Sequence, residues 1–381
     1  NVVVGDEAGT ALTTGDNNIA IGYGALDAED AGDYSIAIGS HALGNQNADG
    51  SNHNVAIGDK AGEDVNGGTY NVLVGNRAGE QLTLGSNNVA LGISALADDR
   101  GGSRNTALGR STLTVQDLGA TAANSDNTAV GYNAGTAVTT GTNNTIMGSF
   151  AGDALTDADY NVAVGVNALS TDTLGSHSVA IGYGALATQN FGSATNSLNV
   201  AIGNNAGYAL QTADDCTFVG YGAGDAVTTG AGNIMIGQGS DSSSATTSYA
   251  IAIGVGATAE DGGLSMGRSS TAVQDSVAIG RGTTATGIDS VVIGEGATSG
   301  TSSTVLGQGA QSASGGTALG QGANAASNGI ALGKGAASTA SAIAIGSSGT
   351  PITLSSGQSG GSTTLPVLIN GTQYYIQIHV P

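Results

Sequence analysis

The sequence predicts an all-β parallel solenoid of about 22 short coils, and three observations carry that reading. A five-residue motif, small–aliphatic–x–aliphatic–Gly, recurs 22 times, as in "NVAIG" and "SVAIG". Its glycines are regularly spaced, from Gly5 through Gly92, Gly148, Gly182, Gly254 and Gly320 to Gly346. The step along the chain is 17 up to Gly254, with longer steps of 19, 22 and 21. Afterwards it is 13, with one step of 14. The two lengths define wide and narrow coils. A fixed internal period of this size signals stacked units. The composition agrees: of 381 residues 66 are Gly, aromatics make up only 4 %, and Trp is absent. Such a chain cannot build a thick core. It is too aliphatic for disorder, and its glycines lack the three-residue period of collagen.

Each position around the glycine follows its own rule. The preceding residue is Val, Ile, Leu or Met in all 22 copies, and the residue three before it is Val, Ile or Thr in 21. These side chains, such as Val89, Leu91 and Ile181, flank one residue and so share a face of a short strand. They are expected to form the inner apolar ladder. The intervening residue, Ala in 14 copies, then faces the other way, with Leu73, Ile146, Phe218 and Met235 as larger substitutes there. Four before the glycine is Asn in 11 copies, including Asn88 and Asn144, expected to turn the corner in left-handed geometry. The glycine bends the chain. A small residue three positions later belongs to a second short strand, so that the coils stack as two parallel ladders. In the wide coils the extra residues fall in turns such as "TTGTNN".

A three-sided single-chain helix needs a longer coil, with an apolar position on each side. The narrow coil, with one strong strand, makes a flattened, two-sided roll with one face uncovered. An uncovered apolar face calls for a partner, and another copy in a cyclic trimer covers it.

The repeats "NVAIG", "HSVAIGYGAL" and "SVAIGRGTTA" resemble those of trimeric autotransporter adhesin heads, which are trimers of left-handed parallel β-rolls. "NTAVGYNAG" at 127–135 is similar to repeats of bacteriophage tail fibres. The resemblance covers about 1–349 and implies a left-handed roll and a homotrimeric fibre. The wide coils depart from it.

Three regions are expected: a shaft of wide coils over 1–254, a shaft of narrow coils over 255–349, and a C-terminal β cap or tip over 350–381. In the last, Asn370-Gly371 between two apolar alternating runs signals a hairpin. A cap would cover the open strand edges of the solenoid. "TLPVLINGTQYYI" resembles the endings of phage virion proteins. The adhesins' coiled-coil stalk and barrel anchor are not seen here, which favours the phage fibre. The sequence opens without Met and inside a repeat, as a fragment or processed product would.

The net charge of −21 disfavours nucleic acid and anionic membranes as partners. No apolar run is long enough for a membrane-spanning helix. Cys216 is the one cysteine, which excludes intrachain disulfides and, at an Asn position, reads as a buried thiol. His41, His53, His177 and His379 lack metal-ligand spacing. "GEGATSG" and "GYGAG" carry glycines because the coil recurs, and no strand–loop–helix unit follows them. The acids Asp98-Asp99, Asp157/Asp159 and Asp214-Asp215 read as solvated turn residues without a paired general acid. Lys60, Arg77, Arg110, Arg268, Arg281 and Lys334 are expected to face solvent.

The expected function is therefore structural, without enzymatic activity, metal or cofactor. The chain would be a virion tail fibre, extracellular, joined to other tail proteins. It would attach to a host cell-surface glycan or protein. Contact would run through Tyr374, Tyr375, Gln377 and His379 at the tip and through the long turns 113–126 and 187–198. Tyr offers sugars an apolar face with a polar handle. The alternative is the head of a bacterial surface adhesin. A depolymerase and an ice-binding solenoid are further classes, disfavoured by the missing carboxylate cleft and by the sparse Thr-Thr pairs.

Overall fold

A computed structural model describes residues 1–119, 121–346, 363–369 and 372–378, the last two segments as backbone. Among the described residues there is no helix, and none long and apolar enough to cross a membrane. The 22 motifs form 22 three-residue strands in one parallel sheet, from Val2–Val4 to Ile343–Ile345. Each strand pairs in register with the next copy: Val2 with Ile19, Ile19 with Ile36, and onward to Ile330 with Ile343. Thr145 pairs with Val162 across a wide coil, and Ile251 with Leu264 across a narrow one. The chain is a parallel β-solenoid of about 20 turns.

The assignment of faces reverses the expectation. The middle residue of each strand points inward: Ala20, Ala90, Ile146, Ala180 and Phe218 are wholly buried. The flanking residues point outward. Val89 and Ile181 are half-buried, Leu91 is exposed, and Met147 is 46 % exposed. The reason is the width of the coil. The small residue three after the glycine, such as Ala95 or Ala185, is also fully buried and shares one core with the inward Ala. Two facing rows of Val and Ile would not fit between walls that close. The Val/Ile ladder thus lines the outside of the single chain.

The repeat glycines stack on one another. Gly92, Gly148, Gly182, Gly254 and Gly320 all have φ between 134° and 141°. A Cβ at Gly131 would lie 2.5 Å from the carbonyl oxygen of Gly148 in the next coil. Only glycine suits that backbone and that approach.

The Asn ladder forms at the corner, but Asn is not the left-handed residue. The residue before it takes that conformation, as in Asn143 (φ 59°) and Asn87 (φ 61°). Asn144 is fully buried. Its backbone N–H donates to Asn127 Oδ1 (2.8 Å), its Oδ1 accepts from the Asn161 N–H (2.9 Å), and its Nδ2 donates to the Ala158 carbonyl (2.8 Å). Each buried amide therefore satisfies backbone groups in neighbouring turns.

The second ladder is regular from the last wide coil onward, where seven two-residue strands pair from Asp241–Ser242 to Asn324–Ala325. In the wide coils this side is built of turns, with positive φ two and four residues after the glycine, as at Lys60 and Gly62. Before Gly237, two-residue strands occur among the described residues only as the pairs 32–33 with 50–51, 102–103 with 123–124, and 175–176 with 195–196. At the C-terminus, Thr363–Ile369 and Thr372–Ile378 pair antiparallel, Ile369 opposite Thr372, as the Asn-Gly signal predicts.

Candidate functional site

Apart from the last, which carries Asp241 at the position concerned, the wide coils come in two kinds, distinguished four residues after the repeat glycine. Where that residue is Gly, the residue three further on is aliphatic: Gly62 with Val65, Gly79 with Leu82, Gly152 with Leu155. Where it is Leu, the later residue is an acid or Gln: Leu26 with Glu29, Leu43 with Gln46, Leu96 with Asp99, Leu113 with Gln116, Leu169 with Asp172, Leu186 with Gln189. In these Leu coils both partners are buried. The pairing is a volume constraint. A Cβ at Gly152 would sit 2.9 Å from Leu155 Cδ1, so one interior space takes one large aliphatic side chain.

The two kinds alternate in pairs and make four-coil cassettes opening at Gly22, Gly92 and Gly165. In each, two Leu coils precede two Gly coils, and the strand between the two Gly coils carries a large inward residue: Leu73, Ile146 or Phe218. These residues fill the space beside two successive glycines. Ile146 Cδ1 lies near Gly135 and Gly152, and the Phe218 ring near Gly207 and Gly224. They fill gaps as expected, but in the core and not on the outer face.

Each cassette contains one wholly buried carboxylate, three residues after the Leu of its first Leu coil. Glu29 Oε1 accepts from the Gly32 N–H (2.6 Å), and its Oε2 accepts from Gln46 Nε2 (2.9 Å) and Asn52 Nδ2 (3.0 Å). Asp99 Oδ1 accepts from the Gly102 N–H (2.7 Å), and its Oδ2 from Gln116 Nε2 (2.9 Å). Asp172 Oδ1 accepts from the Gly175 N–H (3.0 Å), and its Oδ2 from Gln189 Nε2. The Gln carbonyl then accepts from a ladder Asn: Asn54 (2.9 Å), Asn127 (2.9 Å) or Asn199 (3.0 Å). Burial raises the Asp99 pKa to about 6, against the lowering effect of its hydrogen bonds. Asp99 is thus not the solvated turn acid expected of the Asp98-Asp99 pair.

The cassettes place their long turns at one edge. Segments 47–51, 117–119 with 121–124, and 190–196 each follow the buried Gln of the second Leu coil, and each leads into one of the two-residue strand pairs. All are tied back. Asn52 Nδ2 donates to the Ala48 carbonyl (3.1 Å), Arg100 Nη2 pairs with Asp117 Oδ2 (2.6 Å), and the Phe191 N–H donates to Asp172 Oδ1 (3.3 Å). The left-handed corner runs beside them and carries stacked aromatic rings. Tyr34, His53 and Tyr70 stack at 5.0 and 5.1 Å, and Tyr160 stacks on His177 at 5.0 Å. The long turns at 113–126 and 187–198 are visible in the sequence as breaks in the period. Sequence reasoning misses the turn at 47–51, the carboxylates and the aromatic ladder. The signal for the carboxylates is the pairing of Leu with a polar residue three positions later.

Of the expected tip residues, Tyr374, Tyr375 and Gln377 lie on Thr372–Ile378, opposite Val367, Pro366 and Thr364. His379 lies outside the described residues. Among the described residues no group of three or more His, Cys, Asp or Glu is placed to hold a metal ion. Cys216 is buried, donates toward the Gly230 carbonyl (3.7 Å), and is pushed up to about 11 by that burial. Asp241 is pushed upward by burial and by a hydrogen bond to Asp225. A shallow groove of about 280 Å³ is lined by Arg268, Ser269, Arg281, Gly282, Glu295 and Gly296, with Arg281 paired to Glu295. No protein-family model and no curated protein matches the chain.

Proposed function

We propose that the chain is the shaft of a homotrimeric virion tail fibre that attaches the particle to a host cell-surface glycan. The observation that carries this reading is the outward Val/Ile ladder. It runs the length of the sheet, with Ile21, Ile57, Leu91, Met147, Ile202, Ile236, Met266 and Ile293 all exposed on one chain. A continuous apolar stripe of that length needs a cover. Three copies around an axis cover three such stripes with one another, and the small girth of the coil lets them meet. A left-handed roll and a C-terminal hairpin that caps the shaft belong to the same proposal, as does a non-enzymatic role. In that assembly Tyr374, Tyr375, Gln377 and His379 lie at a distal tip.

The runner-up reading is the head of a bacterial trimeric adhesin, which the repeats resemble equally well. Electron microscopy of the purified chain and of its native particle separates the two. A fibre on a virion is the expected result, and a cell-surface stalk supports the alternative. Sedimentation equilibrium tests the trimer, and a stable monomer at micromolar concentration would sink it.

A further inference from the structure

Three anchored turns recur at the same coil position, one per cassette, in 47–51, in 117–119 with 121–124, and in 190–196. Their anchors are alike: a buried acid, a Gln one coil later, and a ladder Asn. Their surface stretches differ: "NADGS", "TAAN" at 121–124, and "NFGSATN", in which Phe191 alone is buried. A buried carboxylate without a cation is a costly anchor where the alternate coils use an aliphatic residue. Constant anchors under variable turns are the layout of a surface that recognises something.

The chemistry at the edge indicates what. Asn47 and Ser51, Thr121 and Asn124, and Ser193 and Asn196 place side chains at the surface that make no hydrogen bond among the described residues. They offer amides and hydroxyls. Stacked aromatic rings flank the first turn, and Tyr160 with His177 lies just before the third. Asp126 is neutralised by its pair with Arg104, while Asp49 adds negative charge to an acidic molecule, which repels anionic chains. Cassettes of four coils put successive turns about 19 Å apart, at about 4.8 Å per coil.

We propose that this edge is a row of three subsites for one neutral polysaccharide chain lying along the shaft. Its hydroxyls pair with the turn residues, and its apolar faces lie against the aromatic rings beside the first and third turns. The proposal rests on the reading as an attachment fibre and adds the ligand class and its orientation.

The test uses the full chain and a panel of neutral bacterial surface polysaccharides, each prepared as short fragments and as long chains. Short fragments reach one turn, and long chains span the roughly 40 Å between the first and third. Long chains are expected to bind about 100-fold more tightly. The exposed pairs Asn47→Ala/Ser51→Ala, Thr121→Ala/Asn124→Ala and Ser193→Ala/Asn196→Ala are each expected to remove most of that gain and to leave short-fragment binding at the other turns. Equal affinity for both lengths, unaltered binding by all three variants, or no binding to any panel member overturns the row. Cell attachment is scored separately with the same proteins. Attachment that survives all three variants leaves the fibre function standing and moves its site elsewhere, whereas no attachment by the native chain defeats the fibre reading itself.

Discussion

At the scale of single residues, the repeat assigns each position a mechanical task, and the tasks differ in how much substitution they tolerate. Gly148 has φ 140°, and a Cβ there would strike the carbonyl oxygen of Gly165. Gly148→Ala is expected to cost about 2 kcal/mol or more from backbone strain alone. Hydrogen exchange on the Met147 and Val164 amides should report it as local opening, and unchanged protection would refute the stacking argument. Asn144→Ala removes the acceptor for the Asn161 N–H and the donor to the Ala158 carbonyl. Each orphaned buried group is worth about 1–3 kcal/mol, so chemical denaturation should show a loss of a few kcal/mol. A loss below half a kcal/mol would mean that water replaces the amide.

The coil is the next scale, where residues act in pairs. Gly152→Leu forces a second large side chain beside Leu155 and requires Leu at φ 49°. The native Leu96 and Leu113 hold such φ values, 53° and 48°, so the conformation is reachable when the space is free. Gly152→Leu alone is therefore expected to destabilise by about 1–3 kcal/mol, and adding Leu155→Ala should recover part of it. A double-mutant cycle measures the coupling, and strict additivity would contradict the shared-space argument.

The buried acids act at this scale too. The folded pKa of Asp99, about 6, lies above its ordinary value of 3.8. Its contribution favours folding fully below the ordinary value and is lost as pH rises through about 6. Denaturation midpoints for the second cassette should fall as pH rises across that window, and Asp99→Leu paired with Leu96→Gly should flatten the slope. A slope unchanged by the pair would place the titration elsewhere.

Over the whole molecule, the question is what covers the outward ladder. If the stripe faces solvent, Ile181→Lys on a half-buried rung changes stability by no more than about half a kcal/mol. If copies pack there, the same change desolvates a charge and should dissociate the assembly. Sedimentation velocity on the native chain and on Ile181→Lys distinguishes the cases. A trimer that persists unchanged with lysine on that rung would place the interface on another face.

Much of this is legible from the order of residues. The strands, their register and the change from wide to narrow coils follow from the repeat, because in a parallel stack identical positions must pair. The hairpin over 363–378 follows from Asn370-Gly371 between alternating runs. The long turns are legible as interruptions. The inward face is not. The strand alternates Val, Ala and Ile, and every one of these side chains can be buried, so hydrophobicity alone does not choose. The tertiary structure chooses by width: the backbone walls approach so closely that Ala shares the core with Ala inside, and Val89, Leu91 and Ile181 are left outside. The same width turns "TNNTIMG" around, sending Ile146 to the core beside Gly135 and Gly152 and Met147 to the surface. It also decides that Glu29, Asp99 and Asp172 carry their carboxylates into the interior, because a Leu three residues earlier already occupies the one apolar space there.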